Sequence, residues 1–239
     1  MSEERQMFIK WIGQSGYIIR TDTTEIIIDP YLSDIVNRVA NRPRLVEAPM
    51  KPSEVRADGI ICTHNHLDHL DVDAIAEMDR KLMFITTSEG KNKLHEMEFD
   101  KVTSLQLGES VMVGDVEIIA AYAKHTVEAF GVVIKAEGHT LYFSGDTLFD
   151  ERLFEVAAYK PDIAFLCING KLGNMNMEEA VVVAKQIGAK VNVPNHYGMF
   201  ASNTENPELF TMQMANGFIM EFDREYHVEQ IIRNQGSQN

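Results

Sequence analysis

No apolar run in this sequence approaches the roughly 18 residues that a membrane span requires. The longest, such as "IIID" and "GIIC", are the length of strands, so no membrane partner is expected. Basic residues are also scarce: 22 Lys and Arg stand against 36 Asp and Glu, for a formal net charge of −14. A nucleic-acid binder needs surplus cations to neutralise phosphates, and an anionic membrane surface asks for the same, so both partners are disfavoured. Only two cysteines occur, Cys62 and Cys167, each inside an apolar strand-like run. They read as buried free thiols in a reducing cytoplasm. The polar, partly acidic start "MSEERQMFIK" does not read as a secretory signal, which agrees with a cytoplasmic location. Low-complexity stretches and Pro/Gly-rich linkers are absent too. The 239 residues therefore fit one domain, 1–239, with 232–239 around "RNQGSQN" expected to be a flexible tail.

An internal echo organises what is present. "GYIIRTDTTEIIIDP" (16–30) reads as strand, polar turn, strand, Asp, and "GVVIKAEGHTLYFSGDT" (131–147) repeats that order. Each hairpin is followed by an apolar strand, "DGIICTH" (58–64) or "PDIAFLCING" (161–170), then a helix and another strand. In the second half the helix is "MEEAVVVAKQIG" (177–188), with Asn176 as N-cap, Glu179 completing a capping box and Gly188 as its stop; "KVNVPNH" (190–196) follows. Two copies of hairpin, strand, helix, strand predict an α+β fold: a four-layer αββα sandwich with two pseudo-symmetric halves.

The chemistry concentrates in "ICTHNHLDHLDVD" (61–73), which holds His64, His66, Asp68 and His69, and so three of the protein's eight histidines. His64 and His66 are two apart in extended chain and point to one side, so both imidazoles can reach one ion. Asp68 and His69 lie where the chain turns into the next helix, able to face a second ion. His125 in "AAYAKHT", Asp146 in "YFSGDT" and His196 in "VPNHYG" each follow a strand, where a symmetric sandwich would gather its site. Nitrogen and oxygen donors without cysteine suit Zn²⁺, Mn²⁺ or Fe²⁺. Five imidazoles and two carboxylates exceed one tetrahedral ion and suit two. The expected assignment is His64, His66 and His125 on one metal, Asp68, His69 and His196 on the other, with Asp146 bridging. Two such ions can hold a shared hydroxide at neutral pH.

"THNHLDHLD", "SGDT" and "NHYG", in this order and spacing, resemble the metallo-β-lactamase fold superfamily. "WIGQSGYIIRTDTTEIIIDPYL" and the block from "PDIAFLCING" through "NMEEAVVVAKQIGAKVNVPNHYG" are similar to the branch containing L-ascorbate-6-phosphate lactonase and related metal-dependent hydrolases. The resemblance implies the same seven ligands, Mn²⁺ or Zn²⁺ as cofactors, and a lactone of a sugar acid, phosphorylated or not, as substrate. The leading reading is thus a dinuclear hydrolase in which a bridging hydroxide attacks an ester or lactone carbonyl while Asp68 handles the proton. A phosphodiesterase acting on a small diester is the alternative. An iron-dependent oxidoreductase of the same fold is disfavoured, because the di-iron flavoprotein type has Glu where this chain has His66. A binding protein with purely structural metals is the remaining class.

Around this core, Asn169 holds in the second half the position of His64 in the first, and Lys171 beside it is placed to meet an anion. Tyr197, next to a ligand, is a candidate hydrogen-bond donor, with core packing as the alternative. "NRVANRPRL" (37–45) carries Arg38, Arg42 and Arg44 in an acidic protein; Arg44 is taken as the candidate anion contact, against a solvated loop. Asp71 reads as a helix N-cap, with a hydrogen bond to a ligating imidazole as the alternative. Trp11 reads as core, and His95, His139 and His227 as surface. A small-molecule substrate, anionic if the arginines contact it, is the expected partner; homo-oligomerisation is left open.

Overall fold

The computed structural model describes residues 6–236. Its first sheet runs in the order β13-β1-β2-β3-β4-β5-β6, with β1 at Phe8–Gly13, β2 at Gly16–Arg20, β3 at Glu25–Ile28, β4 at Gly59–Ile61, β5 at Phe84–Thr86, β6 at Val102–Ser104 and β13 at Glu225–His227. The second runs β12-β11-β10-β9-β8-β7, with β7 at Ser110–Val113, β8 at Val116–Ala121, β9 at Gly131–Ala136, β10 at His139–Phe143, β11 at Ile163–Cys167 and β12 at Val191–Asn195. Both sheets are mixed: β1-β2-β3 and β7-β8-β9-β10 pair antiparallel, whereas β3-β4-β5-β6 and β10-β11-β12 pair parallel. The two-sheet α+β architecture expected from the echo is what the chain adopts.

Strand composition explains the layering. In β3, Ile26 and Ile28 join the cluster between the sheets while Ile27 faces the helical side; Ile61 and Ile60 divide likewise in β4, as do Ile85 and Phe84 in β5. Strands buried on both faces read as continuous apolar runs, which is why "EIII" and "GII" lack polar alternation. Helices α2 (Val72–Glu77) and α3 (Ser88–Glu96) cover the first sheet; α4 (Met177–Ile187) packs on β11 and α5 (Pro207–Thr211) on β12. The α4 capping box forms as its sequence specifies: Asn176 accepts from Glu179 N, Glu179 answers to Asn176 N, and Gly188 takes the left-handed conformation, φ 69°. Between the sheets, Tyr17 meets Phe143 and Phe165 at ring-centroid distances of 5.1 and 4.9 Å, and its hydroxyl donates to Asn195 Oδ1 at 3.0 Å. That bond fixes the residue immediately before His196.

The C-terminal reading needs correction. Residues 232–236 continue helix α6 (Val228–Gly236), which buries Val228 and Ile231, while 237–239 lie outside the described residues. The i, i+3 spacing of those apolar residues seats one face of the helix against the body. His139 and His227 are likewise half-buried rather than on the surface: His139 lies 3.4 Å from Glu229, and His227 meets Phe8 edge-on at 5.0 Å. Cys62 and Cys167 are buried free thiols, and Trp11 is core. Among the described residues no helix is long and apolar enough to cross a membrane.

Residues 32–33, which lead into α1 (Ile35–Ala40), are tied to the first sheet's loops by one carboxylate. Asp71 caps α2 by accepting from Ala74 N at 3.0 Å, and also accepts from Leu32 N at 3.0 Å and Ser33 N at 2.7 Å. Asp71→Ala would leave these buried donors unsatisfied. The expected cost is about 2–4 kcal/mol, read as a lower thermal midpoint and a lower urea midpoint with unchanged m-value.

Candidate metal centre

Strand direction gathers the site. His64 follows β4, His125 follows β8, Asp146 follows β10 and His196 follows β12, so each ligand candidate lies beyond the C-terminal end of a core strand. His64 also bridges Ala129, and Phe130 N donates to Thr63 O at 3.2 Å, which closes the two halves together at this edge. The structure brings all seven sequence-picked residues into one cluster.

Three donor groups overlap within it: His64 with His66 and His125; His64 with His69 and Asp146; and Asp68 with His69 and His196. His66 Nδ1 is 3.0 Å from His64 Nε2 and 3.1 Å from His125 Nε2. Asp146 stands between the outer groups. Its Oδ1 is 3.3 Å from His69 Nε2 and 3.2 Å from His196 Nε2, while its Oδ2 is 4.0 Å from His125 Nε2. Two of these atoms, His69 Nε2 and Asp146 Oδ1, are buried and have no hydrogen-bond partner of good geometry among the described residues. Buried polar atoms in folded proteins are nearly always satisfied, so orphaned nitrogen and oxygen lone pairs converging on one spot fit a divalent cation.

Supporting contacts fix the rings. His125 Nδ1 donates to Gly173 O at 3.0 Å, which leaves Nε2 as the lone-pair atom facing the cluster. His69 Nδ1 donates to Asp29 Oδ2 at 2.7 Å, and Asp29 also accepts from Thr63 N and Thr63 Oγ1, both at 2.8 Å. Gln14 Nε2 donates to Asp68 Oδ2 at 2.8 Å. The sequence reading assigned no role to Asp29, Gln14 or Gly173. Asp29 had a signal: it closes the first hairpin where Asp146 closes the second. Gln14, Asp29 and His196 all carry positive φ, at 52°, 44° and 60°. Left-handed backbone in non-glycine residues costs of order 1–3 kcal/mol each and gathers where a site over-determines it.

Charge divides the cluster. Burial pushes the His64 imidazole well below its ordinary value, with His69 adding to the shift, and burial together with His125 lowers His66. Neutral imidazoles are the ligating form. In the other group burial opposes charge, but Asp146, Asp29 and Asp68 hold His69 well above its ordinary value. His196 is likewise pushed up to about 9, burial being outweighed by Asp146 and Asp68. Burial alone would raise Asp68 and Asp146, yet His69 and His196 hold both carboxylates below their usual range. Cations entering this group replace protons on the same atoms.

A cavity of about 520 Å³ opens onto the cluster, reaching His66, Asp68, Asp146 and His196. The residues proposed from sequence to meet substrate are placed differently. Arg44 donates to three backbone carbonyls, Val46 O at 2.7 Å, Ser33 O at 2.9 Å and Tyr31 O at 3.3 Å, and stacks over Tyr31; it anchors its loop. Arg38 pairs with Asp73 at 2.7 Å on the surface. Asn169 is fully buried, donating to Asn203 Oδ1 at 2.8 Å and accepting from Asn174 Nδ2 at 3.0 Å, so Asn203 rather than Asn169 reaches the cavity. Lys171 is exposed and away from the cavity wall, and Tyr197 is buried against Trp11, ring centroids 4.9 Å apart. Asp71 serves as the N-cap described above and, among the described residues, makes no hydrogen bond to an imidazole.

A model described as "Beta-lactamase superfamily domain" matches residues 24–197. The chain belongs to the metallo-β-lactamase superfamily. Within it, the UPF0173 metal-dependent hydrolase of Geobacillus thermodenitrificans is 30% identical over 229 residues, covering 88% of this chain and 94% of that protein. The UPF0173 metal-dependent hydrolase of Oenococcus oeni is 28% identical over 239 residues, covering 92% and 99%. These relatives place the chain in the UPF0173 metal-dependent hydrolase family. Among solved structures, the metallo hydrolase Igni18 of Ignicoccus hospitalis superposes with a TM-score of 0.78 at 22% identity, covering 93% of this chain and 98% of that one, which shows the shared fold.

Gly173 offers a sharp test of the first donor group. A Cβ there would come within 2.9 Å of His125 Cε1, at a φ of 91°. Gly173→Ala is expected to weaken metal binding about 10–100-fold, measured by titration against a metal buffer, while far-UV circular dichroism stays native.

Proposed function

We propose that this chain is a dinuclear metal-dependent hydrolase of carboxylic esters or lactones. The supporting observation is the pair of donor groups, His64/His66/His125 and Asp68/His69/His196, with the Asp146 carboxylate between them and one cavity above both. The all-nitrogen-and-oxygen donor set suits Zn²⁺ or Mn²⁺. Bound there, divalent cations supply a water acidified to near-neutral pKa and a Lewis acid for a carbonyl oxygen.

The protein's own groups do the remaining work. Asp146 holds the two groups in register by presenting one oxygen to each. Gln14 ties down Asp68 Oδ2, leaving Oδ1 of this cavity-lining residue with no hydrogen bond among the described residues. That oxygen is the site at which a proton taken from water is held and returned to the leaving alkoxide. Gly173 and Asp29 keep the His125 and His69 rings turned toward the centre. The side chains of Val36, Leu67 and Leu172 give the cavity an apolar wall beside the donor groups.

The test is a paired rate assay on protein reconstituted with Mn²⁺ or Zn²⁺, using a set of esters and lactones in one arm and a chromogenic phosphodiester in the other. Carbonyl turnover is expected, falling about 10²–10⁴-fold in Asp68→Asn and disappearing in Asp146→Ala and on chelation. Turnover of the diester alone would overturn the carbonyl reading in favour of a phosphodiesterase.

A further inference from the structure

Of the three arginines in residues 37–45, two are committed. Arg38 is spent on Asp73, and Arg44 on the carbonyls of its own loop. Arg42 is different. It lines the cavity above the donor cluster, is half-buried, and makes no hydrogen bond or ion pair among the described residues. A guanidinium removed in part from water normally finds an anionic or carbonyl partner, because its five donors are costly to leave unmatched.

The fold takes some trouble to put it there. Asn41 ends α1 in the left-handed conformation, φ 51°, immediately before Arg42. Arg44 then pins the loop from beneath, and the loop pairs with the segment after β12: Leu45 N donates to Met199 O at 2.8 Å, Arg44 bridges Phe200, and Phe200 bridges Asn203. Arg42 and Asn203 are thereby brought to the wall of the same cavity. Asn203 Oδ1 is occupied by Asn169, which leaves its Nδ2 as a donor with no partner among the described residues.

Apart from the donor cluster, Thr126 and Gly173, the remaining wall is apolar. Val36 and Ala40, one helical turn apart on α1, face the space together with Leu67 and Leu172. These side chains offer nothing to hydroxyl groups, and burying a hydroxyl without a partner is unfavourable. Arg42 is the only Lys or Arg on the wall, in a chain of net charge −14 whose field repels anions. One guanidinium with an adjacent amide donor matches one carboxylate, which it can grip with two parallel hydrogen bonds.

We propose that the substrate has an apolar body and a single carboxylate, and that Arg42, helped by Asn203, holds that carboxylate while the scissile carbonyl lies over the metal centre. This rests on the reading of the site as a carbonyl hydrolase. It departs from a sugar-acid lactone, whose hydroxyls would face Val36, Ala40, Leu67 and Leu172.

The experiment compares metal-loaded wild type, Arg42→Ala and Arg42→Lys on the mono-p-nitrophenyl ester of adipic acid and on its neutral methyl diester. In wild type the free-acid ester should have a kcat/KM about ten- to hundredfold higher, the advantage lying in KM. That ratio should collapse toward one in Arg42→Ala and survive in part in Arg42→Lys, which keeps the charge but loses the fork. A ratio unchanged in Arg42→Ala overturns the proposal, as does a phosphorylated sugar lactone turned over faster than the free-acid ester. Should wild type hydrolyse no ester at all, the carbonyl reading fails separately. Arg42 is then judged by calorimetric binding of adipic acid mono-N-methylamide against neutral N-methylhexanamide. Tighter binding of the carboxylate that is lost in Arg42→Ala supports the anion contact; equal binding in wild type and variant overturns it.

Discussion

Asp146 and His69 face each other at 3.3 Å in the interior, each with a side-chain atom that has no hydrogen-bond partner of good geometry among the described residues. The rest of the site is arranged around that constraint. Two carboxylates and five imidazoles at the edge of an apolar sandwich are tolerable only if their lone pairs share positive charge. Protons on His69 and His196 can provide it, and divalent cations provide more of it with better-directed bonds. His64 and His66, whose imidazoles burial holds below their ordinary value, have no such protons to lose and are ready for a cation as they stand.

Holding these groups in place requires the two-sheet architecture. Parallel strands in both sheets end at the same edge, so short segments after β4, β8, β10 and β12 suffice to bring distant residues together. Tyr17, packed between the sheets and bonded to Asn195, passes that packing directly to His196. The positive φ of Gln14, Asp29 and His196 shows local conformation yielding to the needs of the centre. Such positions persist because Thr63, Asp68 and Asp146 hold the side chains concerned.

Much of this was legible in the sequence because it was written locally. The α4 caps, the hairpin echo and the H-x-H-x-D-H spacing each depend on residues within a few positions, and the ligand candidates announce themselves at strand ends. What escaped was written at long range. Gln14 meets Asp68 across 54 positions and Asp29 meets His69 across 40, and no spacing rule connects them. Arg44 and Asn169 lie off the cavity wall for a related reason. Composition cannot tell which arginine of a cluster is consumed by its own backbone, so Arg44 looked as available as Arg42. Asn169 held the right position by symmetry but was turned inward to carry Asn203. The final helix was hidden by a polar, glycine-containing end, although Val228, Ile231 and Ile232 carry a helical period.

The proposed function requires room for two cations, one in each donor group beside Asp146. The direct measurement is metal content per chain at saturation, by elemental analysis after equilibrium dialysis, for wild type, His125→Ala and His196→Ala. The account predicts two ions in wild type and one in each variant, since the two histidines serve opposite groups. A single ion in saturated wild type, or two retained in both variants, would contradict it.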